Sequence, residues 1–215
     1  MKLYVYDHCP FCVKARMIFG LKKVPVTVEF VLNDDEATPV SMIGKKMTPI
    51  LEIESGRYMP ESLDIIHFID QSKAPKSITG KRNPTINQWL EKSSQAIYGL
   101  AIPRFAQADL EEFSTREARQ YFTENKEIMF GNFQLLMESS DALIRITEQY
   151  FLELEKLIKS PSACNGELSE DDFHLFAALR SLSITRGVKI PAGVKSYMEQ
   201  MSQLSLVSLY SDIAI

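Results

Sequence analysis

Every stretch of this chain that reads as a β-strand lies ahead of residue 60, interleaved with helical patterns; after that, strand alternation does not return. Lys2–Tyr6 is a short β-branched and aromatic run, followed by the turn Asp7-His8-Cys9-Pro10. Val13, Met17, Ile18 and Leu21 then recur at helical spacing, while Lys14, Arg16, Lys22 and Lys23 occupy the opposite face. Val24-Pro25 ends that helix. Val26–Leu32 predicts a second strand, stopped by Asn33-Asp34-Asp35. Thr38–Ile43 predicts a short helix closed by Gly44, and Ile50–Ile53 with Tyr58-Met59 brackets Glu54-Ser55-Gly56 as a hairpin. Ile65, Ile66 and Ile69 stripe a helix from Glu61 to Ser72. The order βαβαββα, residues 1–72, predicts a sheet with helices on its faces.

Residues 73–83 (KAPKSITGKRN) combine proline, glycine and four cations with few apolar residues and read as a linker. Residues 84–215 read as all-helical. Trp89, Leu90, Ile97 and Leu100 predict a helix broken near Pro103, and Ser114 with Glu117 has the S-x-x-E spacing of a helix start. Leu143, Ile144, Ile146, Tyr150, Phe151, Leu154, Leu157 and Ile158 give a long amphipathic stripe. Ser169 as N-cap with Asp172 at the third helical position, and Leu168 facing Phe173, predicts a capping box and hydrophobic staple that start a buried helix, Phe173–Leu182. Loss of such a cap costs about 1 kcal/mol. The acid run Glu170-Asp171-Asp172 is read as a solvated helix start and not as a metal site.

A net charge of -4 argues against a polyanion partner, and no apolar run approaches the roughly 18 residues of a membrane span. The apolar run Leu3–Tyr6 stops at Asp7, too short for a secretory leader, so the expected compartment is the cytosol. Three cysteines in a reducing compartment do not make a disulfide framework. A zinc site would need a second ligand pair. His8, His67, His174 and Cys164 are scattered singly, so no metal is expected.

That leaves Cys9-Pro10-Phe11-Cys12 as a redox pair. A strand–turn–helix entry puts Cys9 near the helix N-cap, facing unpaired N–H groups and the positive end of the helix dipole. Helix N-termini and CxxC motifs lower a cysteine pKa from ~8.5 into a range of roughly 3.5–7.5. Pro10 suits the first helical position, where its missing N–H costs nothing. Cys12, one turn inward, is placed to resolve a mixed disulfide on Cys9. The expectation is therefore nucleophile Cys9 and resolving thiol Cys12. His8 is expected to be an exposed, neutral loop histidine, and Cys164 an exposed loop thiol without a role in catalysis. Phe11 either packs or contacts substrate.

Two further stretches bear on specificity. Thr48-Pro49, just before the third strand, suits a cis peptide that leaves the Thr48 backbone free to pair with an extended peptide. A trans proline that merely starts a strand is the plainer alternative. At the next helix start, the Ser62 N–H and hydroxyl make a receptor for a carboxylate, and Glu61 one for an ammonium; an ordinary helix cap is the alternative there.

The CPFC motif, Thr48-Pro49 and Glu61-Ser62 together resemble a glutaredoxin domain in the form shared with glutathione transferases. TGKRNPTINQWL (79–90), PRFA (103–106), EEFST (111–115) and NGELSEDDFHLF (165–176) resemble the helical domain of the two-domain bacterial glutaredoxin 2 family. The resemblance covers nearly the whole chain. It implies an α/β thioredoxin-like N-terminal domain followed by an all-α domain, in a glutathione-transferase-like architecture, with a monomer as the expected state. It implies a glutathione-dependent thiol–disulfide oxidoreductase acting on glutathionylated and disulfide-containing proteins, with glutathione as co-substrate and no bound cofactor. Carried onto this chain, the glutathione contacts are Thr48, Pro49, Glu61 and Ser62, with Lys22, Lys23, Lys45 or Lys46 for the glycine carboxylate. Members commonly carry tyrosine where this chain has Phe11 and valine where it has Thr48. The second change is expected to matter little, because the backbone does the pairing. A cysteine-type glutathione transferase and a glutathione-ligated iron–sulfur carrier are the rival readings.

Overall fold

The computed structural model describes residues 1–215. Its sheet has four strands, β1 (Lys2–Val5), β2 (Thr27–Phe30), β3 (Ile50–Glu54) and β4 (Arg57–Pro60), in the order β2-β1-β3-β4. β1 and β2 are parallel and joined through helix α1 (Pro10–Lys22); β3 runs antiparallel to both β1 and β4. Helices α2 (Ala37–Ile43) and α3 (Ser62–Ser72) complete the βαβαββα order. Tyr4 pairs with Ile50 and Ile50 with Pro60, so the segments following β1, preceding β3 and following β4 all leave the sheet at one edge. That edge collects Cys9, Thr48 and Ser62 although they are far apart in sequence.

Residues 73–83 contain no helix or strand. Beyond them lie α4 (Pro84–Phe105), α5 (Arg116–Phe130), α6 (Phe133–Glu138), α7 (Ser140–Leu157), α8 (Glu170–Leu182) and α9 (Ala192–Ser205), with a 3-10 turn at Glu111–Phe113. α4 packs on α7 and α8, while α1 lies between α3 on one side and α8 and α9 on the other. A single apolar core therefore runs through both halves, from Leu3, Val13 and Ile66 to Trp89, Phe176 and Met201. Gly20 belongs to that seam: a Cβ there would overlap the backbone carbonyl of Ser205. A second, smaller cluster surrounds Phe105, Phe113, Phe122 and Tyr210.

Several expectations need correction. α4 is not broken near Pro103 but continues to Phe105. The proline falls in the last turn, where one lost N–H matters little, and the Arg104 guanidinium takes the Leu100 carbonyl (2.8 Å). α5 is capped by Thr115, whose hydroxyl accepts from the Ala118 N–H, one residue beyond the expected Ser114. The capping box of α8 is present, with Ser169 and Asp172 bonded reciprocally. It is not solvated: Asp172 is 0% exposed and Asp171 2%. Asp172 also accepts from the Cys164 N–H (2.6 Å) and the Tyr197 hydroxyl (3.1 Å), and Asp171 accepts from the Asn83 N–H (2.6 Å). These carboxylates tie the segment before α4 and the loop before α8 to one helix start. Cys164, expected in an exposed loop, is fully buried beneath it, and burial pushes its thiol far up, aided by the Asp172 charge. It is a packing residue.

Candidate active site

Cys9 is the N-cap of α1, in extended conformation, with Pro10 as the first helical residue. Its side chain is partly exposed, whereas Cys12 is fully buried. The two thiols differ sharply in acidity. Hydrogen bonding from Cys12 lowers the Cys9 pKa to about 6; partial burial opposes this, and His8 and the Phe11 and Cys12 backbone N–H groups assist. Burial, with the neighbouring Cys9 charge, pushes Cys12 well above the usual thiol range. The first proton to leave the pair comes off the outer sulfur, so at neutral pH Cys9 is a thiolate and Cys12 a thiol.

Cys12 Sγ lies 3.3 Å from the Thr48 hydroxyl and receives the Tyr6 N–H (3.4 Å). The Thr48 side chain therefore touches the inner thiol directly, a contact that the expectation, which rested on the backbone, did not include. The Thr48–Pro49 peptide is cis. Thr48, Lys46 and Met47 line an opening of about 330 Å³ with Cys9, across from Tyr121, Asn125 and Lys126 of α5. Ser62, buried, is the first residue of α3, and Glu61 precedes it with φ +70°, a conformation costly for a side-chain-bearing residue. The exposed Glu61 carboxylate lies 3.6 Å from Lys45. Neither Glu61 nor Ser62 lines that opening; they stand farther along the same sheet edge.

Of the four candidate lysines, Lys22 is committed elsewhere: its ammonium pairs with Asp70 (3.2 Å) and donates to the carbonyls of Lys73 and Pro75 (2.5 Å each). Lys23 lies at the far end of α1. Lys46 reaches the opening, its Nζ 3.6 Å from the Tyr121 ring centroid and 3.9 Å from the Glu36 carboxylate, with no hydrogen-bond partner.

On its other side Cys9 faces a larger cavity, about 560 Å³, walled by α4, the end of α5 and α8. Phe11, 56% exposed, stands at its mouth beneath the Lys14 ammonium, 4.4 Å from the ring centroid. Lys14 is itself buried, and burial lowers its pKa while the Cys9 charge opposes the shift.

His8 is the clearest departure from expectation. It is not an exposed loop residue but buried, ringed by Tyr6, Phe105, Phe113 and Phe122. Glu112 Oε1 accepts from both its backbone N–H (2.9 Å) and its Nδ1 (2.7 Å). Asp7, one residue earlier, is gripped by Arg180 (3.0 and 3.1 Å) and Arg16, while its carbonyl accepts from Arg180 (2.7 Å) and the Tyr210 hydroxyl (2.8 Å). Burial raises the Asp7 pKa, but the two guanidinium groups outweigh it and hold the carboxyl below its usual range. The helical half thus clamps the turn that presents Cys9. Sequence reading missed Glu112, Arg180 and Tyr210 because they lie more than a hundred residues from the turn, where no local pattern connects them. No group of three or more His, Cys, Asp or Glu side chains is arranged to hold a metal, and no helix is long and apolar enough to cross a membrane.

Residues 85–214 match the family model of the glutaredoxin 2 C-terminal domain, and residues 3–77 that of the glutathione S-transferase N-terminal domain. The chain is 48% identical to glutaredoxin 2 of Escherichia coli strain K12 over 215 residues, the full length of both. The crystal structure of Salmonella typhimurium glutaredoxin 2 in complex with glutathione superposes with a TM-score of 0.97 at 50% identity, covering 100% of this chain and 98% of that one. A glutathione transferase from Phanerochaete chrysosporium, GSTFuA3, matches in fold at a TM-score of 0.70 with 14% identity, over 94% of this chain and 96% of that one.

Proposed function

The chain belongs to the glutaredoxin 2 family and is a glutathione-dependent thiol–disulfide oxidoreductase; we propose that Cys9 is its nucleophile and Cys12 its resolving thiol. The observation that carries this assignment is the split in acidity between a partly exposed thiolate at a helix N-cap and a buried thiol one turn inward.

In the monothiol route, the Cys9 thiolate attacks the glutathione sulfur of a protein–glutathione disulfide. The protein sulfur leaves with the bonding electron pair, and glutathione remains on Cys9. A second glutathione attacks the sulfur of the bound one, forming oxidised glutathione and restoring the Cys9 thiolate. The low pKa that makes Cys9 a thiolate also makes it a good leaving group. With an intramolecular protein disulfide, Cys12 displaces the second protein sulfur from Cys9, and glutathione later reduces the Cys9–Cys12 bond.

The bound glutathione lies along the sheet edge in this reading. Its backbone pairs with Thr48 beside Pro49, and its γ-glutamyl carboxylate and ammonium meet Ser62 and Glu61. Lys46, whose ammonium makes no hydrogen bond and only a long ion pair with the exposed Glu36 carboxylate (3.9 Å), takes the glycine carboxylate. The substrates proposed are glutathionylated and disulfide-bearing proteins, handled by a monomer in the cytosol, where glutathione is kept reduced. Phe11, exposed at the cavity mouth, is the proposed substrate contact.

Two substrates and two variants test the reading. Cys9→Ser abolishes turnover of both a glutathionylated peptide and a protein disulfide. Cys12→Ser keeps the first and loses the second. Turnover of the glutathionylated peptide by Cys9→Ser would refute the assignment. The apolar cavity beside Cys9 favours one second reading, conjugation of glutathione to a small aromatic electrophile. An aryl-halide conjugation assay on the same preparation distinguishes the two.

A further inference from the structure

Glu112 is 0% exposed, and the only cationic or proton-donating side chain it meets is His8. Its Oε1 takes both His8 bonds while Oε2 has no partner. Burying a carboxylate among Phe105, Phe113 and Phe122 is costly unless it is paired, so the pair is held together by more than packing. Burial raises the Glu112 pKa, but the His8 bonds prevail and keep the carboxyl ionised.

With a carboxylate on Nδ1, that nitrogen carries the proton, which leaves Nε2 as the acceptor. Nε2 makes no hydrogen bond and is not sealed from the surface. His8 lines both openings that expose Cys9. Tyr6 stacks on its face, with a hydroxyl pushed well up by burial. The other charged or titratable groups around the two openings are Lys14, Glu91, Tyr98 and His174 on one side, Lys46 and Tyr121 on the other, and Lys126, which borders both. None of them hydrogen-bonds the imidazole.

We infer that His8 is the proton carrier of the catalytic cycle and that Glu112 is the positioning residue that fixes its tautomer and aims Nε2 at the sulfur reaction line. The inference rests on the proposed monothiol route and accounts for its proton. When glutathione attacks the mixed disulfide on Cys9, its S–H proton passes to Nε2. The new bond joins the two glutathione sulfurs, and the electron pair of the broken bond leaves on Cys9 as thiolate beside an imidazolium. In the next half-reaction Cys9 attacks a glutathionylated protein, the protein sulfur leaves as thiolate, and the imidazolium returns the proton to it. Summed over the cycle, one glutathione and one glutathionylated protein give oxidised glutathione and a protein thiol. No proton is exchanged with solvent.

The test is single-turnover reduction of preformed Cys9–glutathione adduct by glutathione, followed from pH 6 to 9.5. His8→Asn keeps a donor where Nδ1 stands but carries no proton in this range. It is expected to slow the step at least about tenfold at pH 7. The deficit should shrink toward pH 9.5, where the attacking thiol, with an ordinary pKa near 8.5, ionises unaided. Glu112→Gln should show the same convergence with a smaller deficit. An equal deficit at every pH, as a structural defect would give, or no deficit at all, overturns the inference. In the unmutated protein, the His8 imidazole proton resonances should shift when Cys9 is glutathionylated and its negative charge disappears; indifferent resonances overturn it too, whether or not the variants fold. Failure of the adduct to form in the wild-type chain would instead refute the underlying thiol route, which separates the two.

Discussion

Replacing Cys9 by serine should destabilise the reduced protein by an amount that depends on pH, because its native pKa of about 6 lies below that of an unfolded thiol, about 8.5. The sign follows from linkage. A depressed acid stabilises the fold fully above its unfolded pKa, and that stabilisation is lost as pH falls through the folded value. With about 1.36 kcal/mol per pKa unit, the two titration curves give almost nothing at pH 5, about 1–2 kcal/mol at pH 7 and about 2–3 kcal/mol at pH 8. The assay is urea unfolding with excess reductant at those three pH values, read by the fluorescence of Trp89, the only tryptophan and 1% exposed. Steric and hydrogen-bonding effects of the serine hydroxyl do not titrate in this range, so they add a constant offset. The informative quantity is the growth of the wild-type-minus-variant difference from pH 5 to 8. A difference that stays flat across that range would mean the outer sulfur titrates like a free thiol, and the helix-terminus argument would fall with it.

Asp172→Ala should cost about 3 kcal/mol or more, because it strands the buried Ser169 N–H, Cys164 N–H and Tyr197 hydroxyl together, whereas Ser169→Ala should cost nearer 1; thermal or urea unfolding ranks them. Arg180→Met leaves the Asp7 carboxylate short of a buried partner and should cost about 3–5 kcal/mol, and adding Asp7→Asn should recover part of it in a double-mutant cycle. Gly20→Ala should destabilise by about 1–3 kcal/mol, since the overlap is with the Ser205 backbone, which cannot rotate away; a neutral substitution would mean that α1 and α9 are not seated as described. Cys164 should resist an aqueous disulfide reagent in the native state while Cys9 reacts at once, an outcome read by mass after digestion.

Local pattern was enough for everything that local physics decides. The period of apolar residues set the four strands and most of the helices, and the Cys9-Pro10 pair marked the start of α1. The Ser169–Asp172 spacing placed the start of α8 for the same reason: a cap is built from residues within one turn of each other. α9 was not named within the all-helical reading of residues 84–215, although Val194, Tyr197, Met198 and Met201 recur at helical spacing on the face that packs against α1, α7 and α8. The acid run at 170–172 and the thiol at 164 were misread for a physical reason. A charged or polar residue looks solvated in sequence, and only its distant partners make its burial affordable.

What the chain's own order of residues determined is the chemistry available: a thiol pair on a helix start, a Thr-Pro turn and a Glu-Ser turn that one sheet edge gathers. What the tertiary structure alone decided is the environment of that chemistry. Glu112 lies 104 residues from His8 and Arg180 173 residues from Asp7, yet they fix the turn before Cys9 through hydrogen bonds of 2.7–3.1 Å. Dipoles and caps act within a turn and can be read along the chain; desolvation and charge pairing depend on what folds over the site, which no stretch of sequence near the site records.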